Sequence, residues 1–477
     1  MTKGHLRLPR RQGSVAPDDA ADSVRIETEQ SRHGLGGGSP VQRAVVLGGS
    51  FAGLMAARVL SDYAEDVVIV EPDCLDDASR TGVPHRRQLH ALLAMGHTQL
   101  ERWFPGITKE MTTQGALVGR GEAVQFYVDG HRRLPLEEVE MLGATRPFIE
   151  RAVRLRTRGL PNVRIIAGRG QGLLIQGKCV RGVRYIPNGQ QTETTTLTAD
   201  FVVDAMGRSS RLSAWLEQEG WPVPPLDRMT IDLGYATASF RRGSELPGTV
   251  IAHSAPGPAS DYQPTLCEPG ALAAVEDSRW TVVLAGYAGH RPSRDPQEFR
   301  SRMRRCVQPL REVAEQCELE SDVETFHFRE SRRRRFLAAS RLPGGLAAVG
   351  DAVASINPIY GQGLTLAALQ ASALAAYLRS GAAAHEPAWG YFQRADVFVN
   401  AGWNLSTTAD LAQPHVIGPY PRGYALMRWV GDKITQASLQ DAEINRAYMS
   451  VVHMQQHPRA LARPRVLMRG ARVLLAR

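Results

Sequence analysis

The chain has 477 residues, 43% hydrophobic and 22% charged, which excludes a wholly disordered chain, a collagen and a coiled coil. Lys and Arg outnumber Asp and Glu by 57 to 48. All but four of the basic residues are Arg, a bias that a GC-rich genome produces as readily as an acidic partner, so the charge does not argue for nucleic acid. No apolar run reaches the ~18–20 residues of a bilayer span, the start lacks an apolar leader core, and Cys74, Cys179, Cys267, Cys306 and Cys317 form no C-x-x-C pair. The expectation is a cytoplasmic protein without a structural metal or a disulfide framework.

Residues 1–40 mix Arg, Asp and Gln without a period and end in GLGGGSP, the composition of a disordered tail. Ala44–Gly48 (AVVLG) is then a buried strand that stops at glycines, Phe51–Tyr63 carries apolar residues at helical spacing, and Val67–Val70 (VVIV) is a second buried strand. Strand, glycine turn, helix and strand make a βαβ unit. Val124–Leu134 reads as two strands around the turn Asp129-Gly130. Thr230–Phe240 and Trp280–Gly286 are strand-like, Phe201–Val203 and Leu346–Val349 resemble the buried parallel strands, and Leu364–Leu378 and most of the last hundred residues are helical. The predicted class is α/β: a discontinuous Rossmann-like lobe (41–120, 142–212, 330–380), an inserted β-rich substrate lobe (121–141, 213–329), and C-terminal helices (381–477).

Three motifs carry chemistry. Gly48–Gly53 (GGSFAG) fits G-x-G-x-x-G with Ser50 at the second glycine. Gly48 permits the tight turn, Gly53 permits close helix–strand packing, and the helix N-terminus offers N–H groups to a pyrophosphate. Glu71 ends the second strand at the spacing of a ribose-binding acid. Asp204–Arg208 (DAMGR) follows the third buried strand. Gly350-Asp351 follows the fourth and continues DAVASINPIYGQG to Gly363, where Gly361 and Gly363 open a second helix. A carboxylate at a strand end can accept hydrogen bonds from sugar or ribityl hydroxyls, and a second helix N-terminus favours a group that becomes anionic.

With these three motifs in this order, the region from about Ala44 to Leu378 resembles the class A FAD-dependent monooxygenases of the p-hydroxybenzoate hydroxylase fold. The resemblance implies FAD held by Gly48, Ser50, Gly53, Glu71 and Asp351, with Pro358, Gly361 and Gly363 lining the ring. Arg146, in GATRPFIE, is similar to the helical Arg that contacts FAD in that family. NADPH or NADH would serve as transient reductant, and there is no second G-x-G-x-x-G to hold it. GVPHRRQLH (Gly82–His90), TIDLGYAT (Thr230–Thr237) and EDSRWTVVLAG (Glu276–Gly286) resemble the flavin epoxidases of bacterial polyether and polyketide antibiotic pathways. Arg87 and His90 match that family's segment, which implies Arg87 at the cofactor, whereas His85 and Gln88 depart from it.

The resemblance implies epoxidation of an alkene in a lipophilic polyketide or terpenoid by O2, through a flavin C4a-hydroperoxide. No base is evident in the sequence, and alkene epoxidation needs none. Two alternatives stand beside it: an aromatic hydroxylase, and a decalin-forming, non-redox [4+2] cyclase of spirotetronate pathways in which FAD is structural. A flavin reductase saturating isoprenoid double bonds is a third. The W-x-W-x-I-P segment of flavin halogenases is missing, its nearest string being Gly220–Pro224 (GWPVP).

Catalytic residues are not assigned; Pro358, Tyr360 and His90 are candidates for positions near the ring. Histidines on apolar faces are ordinarily satisfied core residues, and Tyr360 can equally be structural. The run Arg332–Arg335 reads as a solvated face, and Trp215 and Trp221 as core or interface. Pro458–Arg477 has six arginines, no acid and an apolar stripe at Val466, Leu467, Ala471, Val473 and Leu474. A packing helix accounts for it first and a membrane-surface helix second.

Overall fold

The computed structural model describes residues 41–73, 86–255 and 268–475. The expectations for residues 1–40, for Cys74 and Cys267, and for Gly82–His85 lie outside them.

Four short apolar strands form the heart of the first sheet: β1 (Val41–Leu47), β2 (Ala64–Glu71), β3 (Phe201–Asp204) and β4 (Leu346–Ala348). Their order is β4-β3-β1-β2, all parallel, and Val163–Gln176 adds a fifth parallel strand beyond β2. The continuous VVL, VVIV, FVV and LAA runs follow from burial on both faces, since parallel sheets are covered on each side. One cover is helix α1 (Phe51–Leu60), with eight of its ten residues buried. Leu54, Met55 and Leu60 are fully enclosed, worth roughly 1.5–3 kcal/mol each. Val163–Gln176 then turns back into Cys179–Pro187 and Thr195–Thr198, an antiparallel extension that local periodicity does not disclose, because glycines interrupt its alternation.

The second sheet has eight strands and is antiparallel except where Ile251–Ala255 lies parallel to Val124–Val128. The hairpin at Asp129-Gly130 forms as the sequence predicts, with both residues at positive φ. The expected lobe boundary at 330 falls inside the strand Glu324–Arg334, which pairs along Leu226–Arg241 and with Ala354–Ser355. Arg332, Arg333 and Arg334 sit on this strand and Arg335 follows it. Arg333 and Arg335 pair with Asp227, Arg332 with Glu330, and Arg334 donates to the Ala352 carbonyl at 2.7 Å. This is a strand-anchoring role rather than a solvated face. Trp215 is core, at 1% exposure.

Helix α2 (Arg146–Arg158) packs on α1 and on the strand Val163–Gln176, and meets the second sheet at its N-terminus. Its N-cap Thr145 accepts from the Phe148 N–H and is gripped by buried Glu276 of the second sheet through its amide and hydroxyl. Helix α3 (Gly363–Arg379) packs on α1, and α4 (Trp389–Asp410) packs on α3. Three more helices close the chain: α5 (Tyr424–Ser438), α6 (Ala442–Val452) and α7 (Pro464–Leu475). Buried Arg133, just past the hairpin, ties down α5 and α6. Its guanidinium donates to Ser438 Oγ at 2.5 Å and lies 4.3 Å over the Tyr448 ring, while the Asn445 amide donates to the Leu134 carbonyl.

Candidate functional site

The turn after β1 is built for close approach. Gly48 has φ +106°, and a Cβ there would lie 2.5 Å from the Ala205 carbonyl oxygen; a Cβ on Gly53 would lie 1.9 Å from the Gly48 carbonyl oxygen. Only glycine fits either place. Helix α1 therefore begins hard against β1, with no acidic residue in its first turn to oppose an anion. Glu71 is buried at the end of β2. One carboxylate oxygen accepts the Gly49 N–H at 2.5 Å and the other the Asp73 N–H at 2.9 Å.

Ser50, the departure from the glycine pattern, has a definite task. Its hydroxyl donates to Glu150 Oε1 at 2.6 Å and accepts from Arg146 at 3.2 Å. Arg146 also donates to Glu150 at 2.9 Å and contacts His90 Nε2 at 3.0 Å. Glu150 is wholly buried and stands 3.6 Å from the Arg86 guanidinium. His90 Nδ1 meets the Gln88 carbonyl at 2.8 Å. With Nε2 accepting from Arg146, the pattern corresponds to a neutral Nδ1–H imidazole. His90 is thus partnered on both nitrogens while still facing the cavity.

Asp204 and Arg208 divide the labour in the second motif. Asp204 spends its carboxylate on its own turn, accepting from the Met206 N–H and the Ser210 hydroxyl, and burial raises its pKa. It is not on the cavity wall. Arg208 crosses to the third motif, donating to Ser355 Oγ at 2.8 Å and to the Glu330 carbonyl, with Phe328 4.5 Å beneath its guanidinium. The Ser355 hydroxyl in turn donates to Asp351 at 3.0 Å. Burial pushes the Asp351 carboxyl up, opposed by that hydrogen bond and by the charges of Arg146 and Arg208.

The Asn357–Gly361 loop is fastened by a group the sequence does not reveal, Asp410 at the end of α4. Its carboxylate accepts from Asn357 at 2.6 Å, Tyr360 at 3.2 Å, and Tyr287 and Ser406 at 3.4 Å. Asn357 also donates to the Tyr287 hydroxyl at 2.9 Å and accepts the Ile359 N–H at 3.0 Å. Burial lifts the Asp410 pKa to about 7 against the pull of these donors, and raises those of Tyr287 and Tyr360.

One cavity of about 1420 Å³ runs past all of these elements. Gly48, Ser50, Glu71, Arg146 and Asp351 line one stretch, and Pro358, Tyr360, Gly361, Gly363 and His90 line another. Gly53 stands behind the wall, where it sets the approach of α1. Arg87, expected at the cofactor, is elsewhere: its side chain is 59% exposed and pairs with Glu324 at 2.9 Å on the outer surface. The buried neighbour Gln88 does the anchoring instead, accepting from Thr237 and donating to the Glu324 carbonyl. The wall on the second sheet is largely apolar, with Phe126, Leu233, Ile251, Val283, Phe326 and Phe328. His253 interrupts it, and burial lowers its pKa. Among the described residues no cluster of His, Cys, Asp and Glu could hold a metal ion.

The arrangement suits FAD. The glycine cradle leaves no room for a Cβ, the N-termini of α1 and α3 carry no acid, and carboxylates stand at the end of β2, where Glu71 is buried, and just past β4, where Asp351 is half-buried. Comparison with known proteins agrees. The chain is 33% identical to Protein Rv3254 of Mycobacterium tuberculosis (strain ATCC 25618 / H37Rv) over 358 residues, 72% of this chain and 74% of that one. Its fold is similar to that of the flavin-dependent brominase Bmp2 (TM-score 0.63, 13% identity, covering 91% of this chain and 98% of that one). It is also similar to that of p-nitrophenol 4-monooxygenase PnpA from Pseudomonas putida DLL-E4 (TM-score 0.62, 16% identity, covering 88% and 99%). The FAD binding domain family matches residues 42–385, nearly three quarters of the chain. The chain belongs to that family and has the fold of the flavin-dependent monooxygenases.

Proposed function

We propose that this protein is an FAD-dependent monooxygenase that epoxidises an alkene of a lipophilic polyketide or terpenoid. The observation that carries the reading is the single cavity joining the glycine cradle and the Asn357–Gly361 loop to an apolar wall on the second sheet. In this reading the N–H groups at the start of α1 take the pyrophosphate, with Ser50 and Arg146 beside it. Glu71 exchanges its backbone partners for ribose hydroxyls, and Asp351 faces the flavin side. Pro358, Tyr360, Gly361 and Gly363 line the ring, where the N-terminus of α3 favours negative charge. Bound FAD, reduced by NADPH or NADH, supplies oxygen activation. The protein's part is to hold the double bond in place and to exclude water, which the phenylalanine and aliphatic wall does. Alkene oxidation asks no proton of that wall.

Aromatic hydroxylation is the second reading, and His253 favours it. Its imidazole stands in the apolar wall, where it can accept a hydrogen bond from a phenolic hydroxyl, while burial lowers its pKa and so weakens it as a base.

The test is anaerobic reduction of the yellow holoprotein by NADPH and NADH, with and without a lipophilic extract of the source organism, followed by admission of O2. Bleaching accelerated by extract, then a product one oxygen heavier with an epoxide, is the expected result. A phenolic product lost in His253→Phe would establish the hydroxylase. Product formation without O2 or reductant would replace both with the non-redox cyclase. Asp351→Ala is expected to release the flavin on gel filtration. If the variant stays fully yellow, Asp351 does not hold the cofactor.

A further inference from the structure

The C-terminal helices carry an apolar and basic surface beside an opening of the cavity. Helix α7 turns Val473 and Leu474 onto the cluster around Ile434, Ala437 and Ile444, with Gly470 packed at Ala437. That much is the packing helix expected from the sequence. The same helix leaves Leu467, Met468 and Leu475 exposed, and α5 adds Leu426, Met427 and Trp429, the last at 59% exposure. Grouped exposed side chains of this size mark an interaction surface. Leu426, Met427 and Leu467 also line the cavity, so it reaches the surface between α5 and α7.

The charge of the C-terminal segment that carries these helices is one-sided. Residues 411–475 hold nine basic and three acidic side chains, two thirds of the chain's formal net charge of +9. The three acids, Asp432, Asp441 and Glu443, are engaged by Arg428, Arg465 and Arg469, so Arg422, Arg459, Arg463 and Arg472 are not neutralised by them. Exposed Leu, Met and Trp amid arginines is the composition of a helix lying in a bilayer interface, with the cations against anionic headgroups. Among the described residues no helix is long and apolar enough to cross a membrane.

We propose that the face formed by α5 and α7 docks on an anionic lipid surface and sets the opening of the cavity against the bilayer. A lipophilic substrate would then pass from the acyl layer into the apolar cavity without crossing water. That last clause rests on the function proposed above; the docking does not.

The experiment uses the full-length holoprotein, without turnover, so its outcome is separate from that of the activity assay. The protein is sedimented with vesicles of phosphatidylcholine alone and of equal parts phosphatidylcholine and phosphatidylglycerol. Pelleting is expected with the anionic vesicles, weakening steeply as salt is raised. Combined Trp429→Ser, Met468→Ser and Leu475→Ser should weaken it about tenfold or more, as should combined Arg463→Glu and Arg472→Glu. Retained flavin absorbance in each variant shows that it is folded. The proposal falls if the wild type stays in the supernatant, or if binding survives both sets of substitutions. A dimer by light scattering that the serine variant abolishes, with no vesicle binding, would assign the face to a second copy of the chain and overturn it likewise.

Discussion

Gly53→Val is expected to emerge from purification colourless. A Cβ at position 53 would stand 1.9 Å from the Gly48 carbonyl oxygen and 3.3 Å from the Ala205 methyl. The nearer obstacle is backbone, which no rotamer change can relieve. Helix α1 must back away from β1, and the N–H groups at its start leave the place where an anion would be held. Overpacking of this kind costs about 1–3 kcal/mol in stability, while the loss of the cradle falls directly on cofactor affinity. Even Gly53→Ala should lose at least about tenfold in flavin affinity, equivalent to about 1.4 kcal/mol. Gly289→Ala, where a Cβ would meet nothing within 4 Å, is the control and should stay yellow. The ratio of flavin to protein absorbance reads the outcome directly. A Gly53→Val protein that binds flavin as the wild type does would show that α1 is not seated where the cavity requires.

Asp410→Asn should remove the fall in stability that Asp410 itself contributes between about pH 4 and 7. An unfolded aspartate titrates near 3.8, whereas Asp410 in the fold titrates near 7, because burial outweighs the donors around it. The sign follows from linkage. Between those values the folded protein keeps a proton that the unfolded chain has given up, so the contribution of this group is full below pH 4 and is lost as pH rises to about 7. The loss is about 4 kcal/mol at one pKa unit per 1.36 kcal/mol. Asparagine accepts from Asn357 and Tyr360 as the carboxylate does and can donate to Ser406, without a charge to desolvate. Denaturant titration at pH 5 and pH 8 is the measurement. The stability difference in favour of the variant should be larger at pH 8 than at pH 5 by about 2–3 kcal/mol. Equal slopes of stability with pH in the two proteins would mean that Asp410 is not the titrating group. Because Asn357 and Tyr360 belong to the loop on the cavity wall, Asp410 acts on that loop by positioning it.

Gly48, Gly53 and Glu71 are legible from the sequence because their constraints are local. A buried strand is an apolar run, and a turn that tolerates no Cβ has to be glycine. The same holds for the Asn357–Gly363 stretch, whose Pro and Gly residues punctuate the chain whatever surrounds them. Arg87 misled because its match rests on its neighbours in sequence, and the side chain turns outward to Glu324 while Gln88 turns in. Ser50 is, by local pattern, only a departure from the second glycine. It became a partner of Glu150 and Arg146 only when a helix 100 residues further on was brought against it.

Local pattern thus determined the strand–turn–helix unit, the α/β class and the motifs of a dinucleotide site, since each depends on periodicity and backbone freedom within a few residues. Tertiary structure alone decided what joins those motifs. Asp410 meets Asn357 from 53 residues away and Tyr287 from 123, and on its own helix it reads as an ordinary polar residue. Pairing of Val124–Val128 with Ile251–Ala255 builds a cavity wall that neither strand announces. The physical reason is the same in each case. Burial, which gives a carboxylate its pKa and an apolar side chain its partner or its exposure, belongs to the packed chain and is not a property of any short stretch of it.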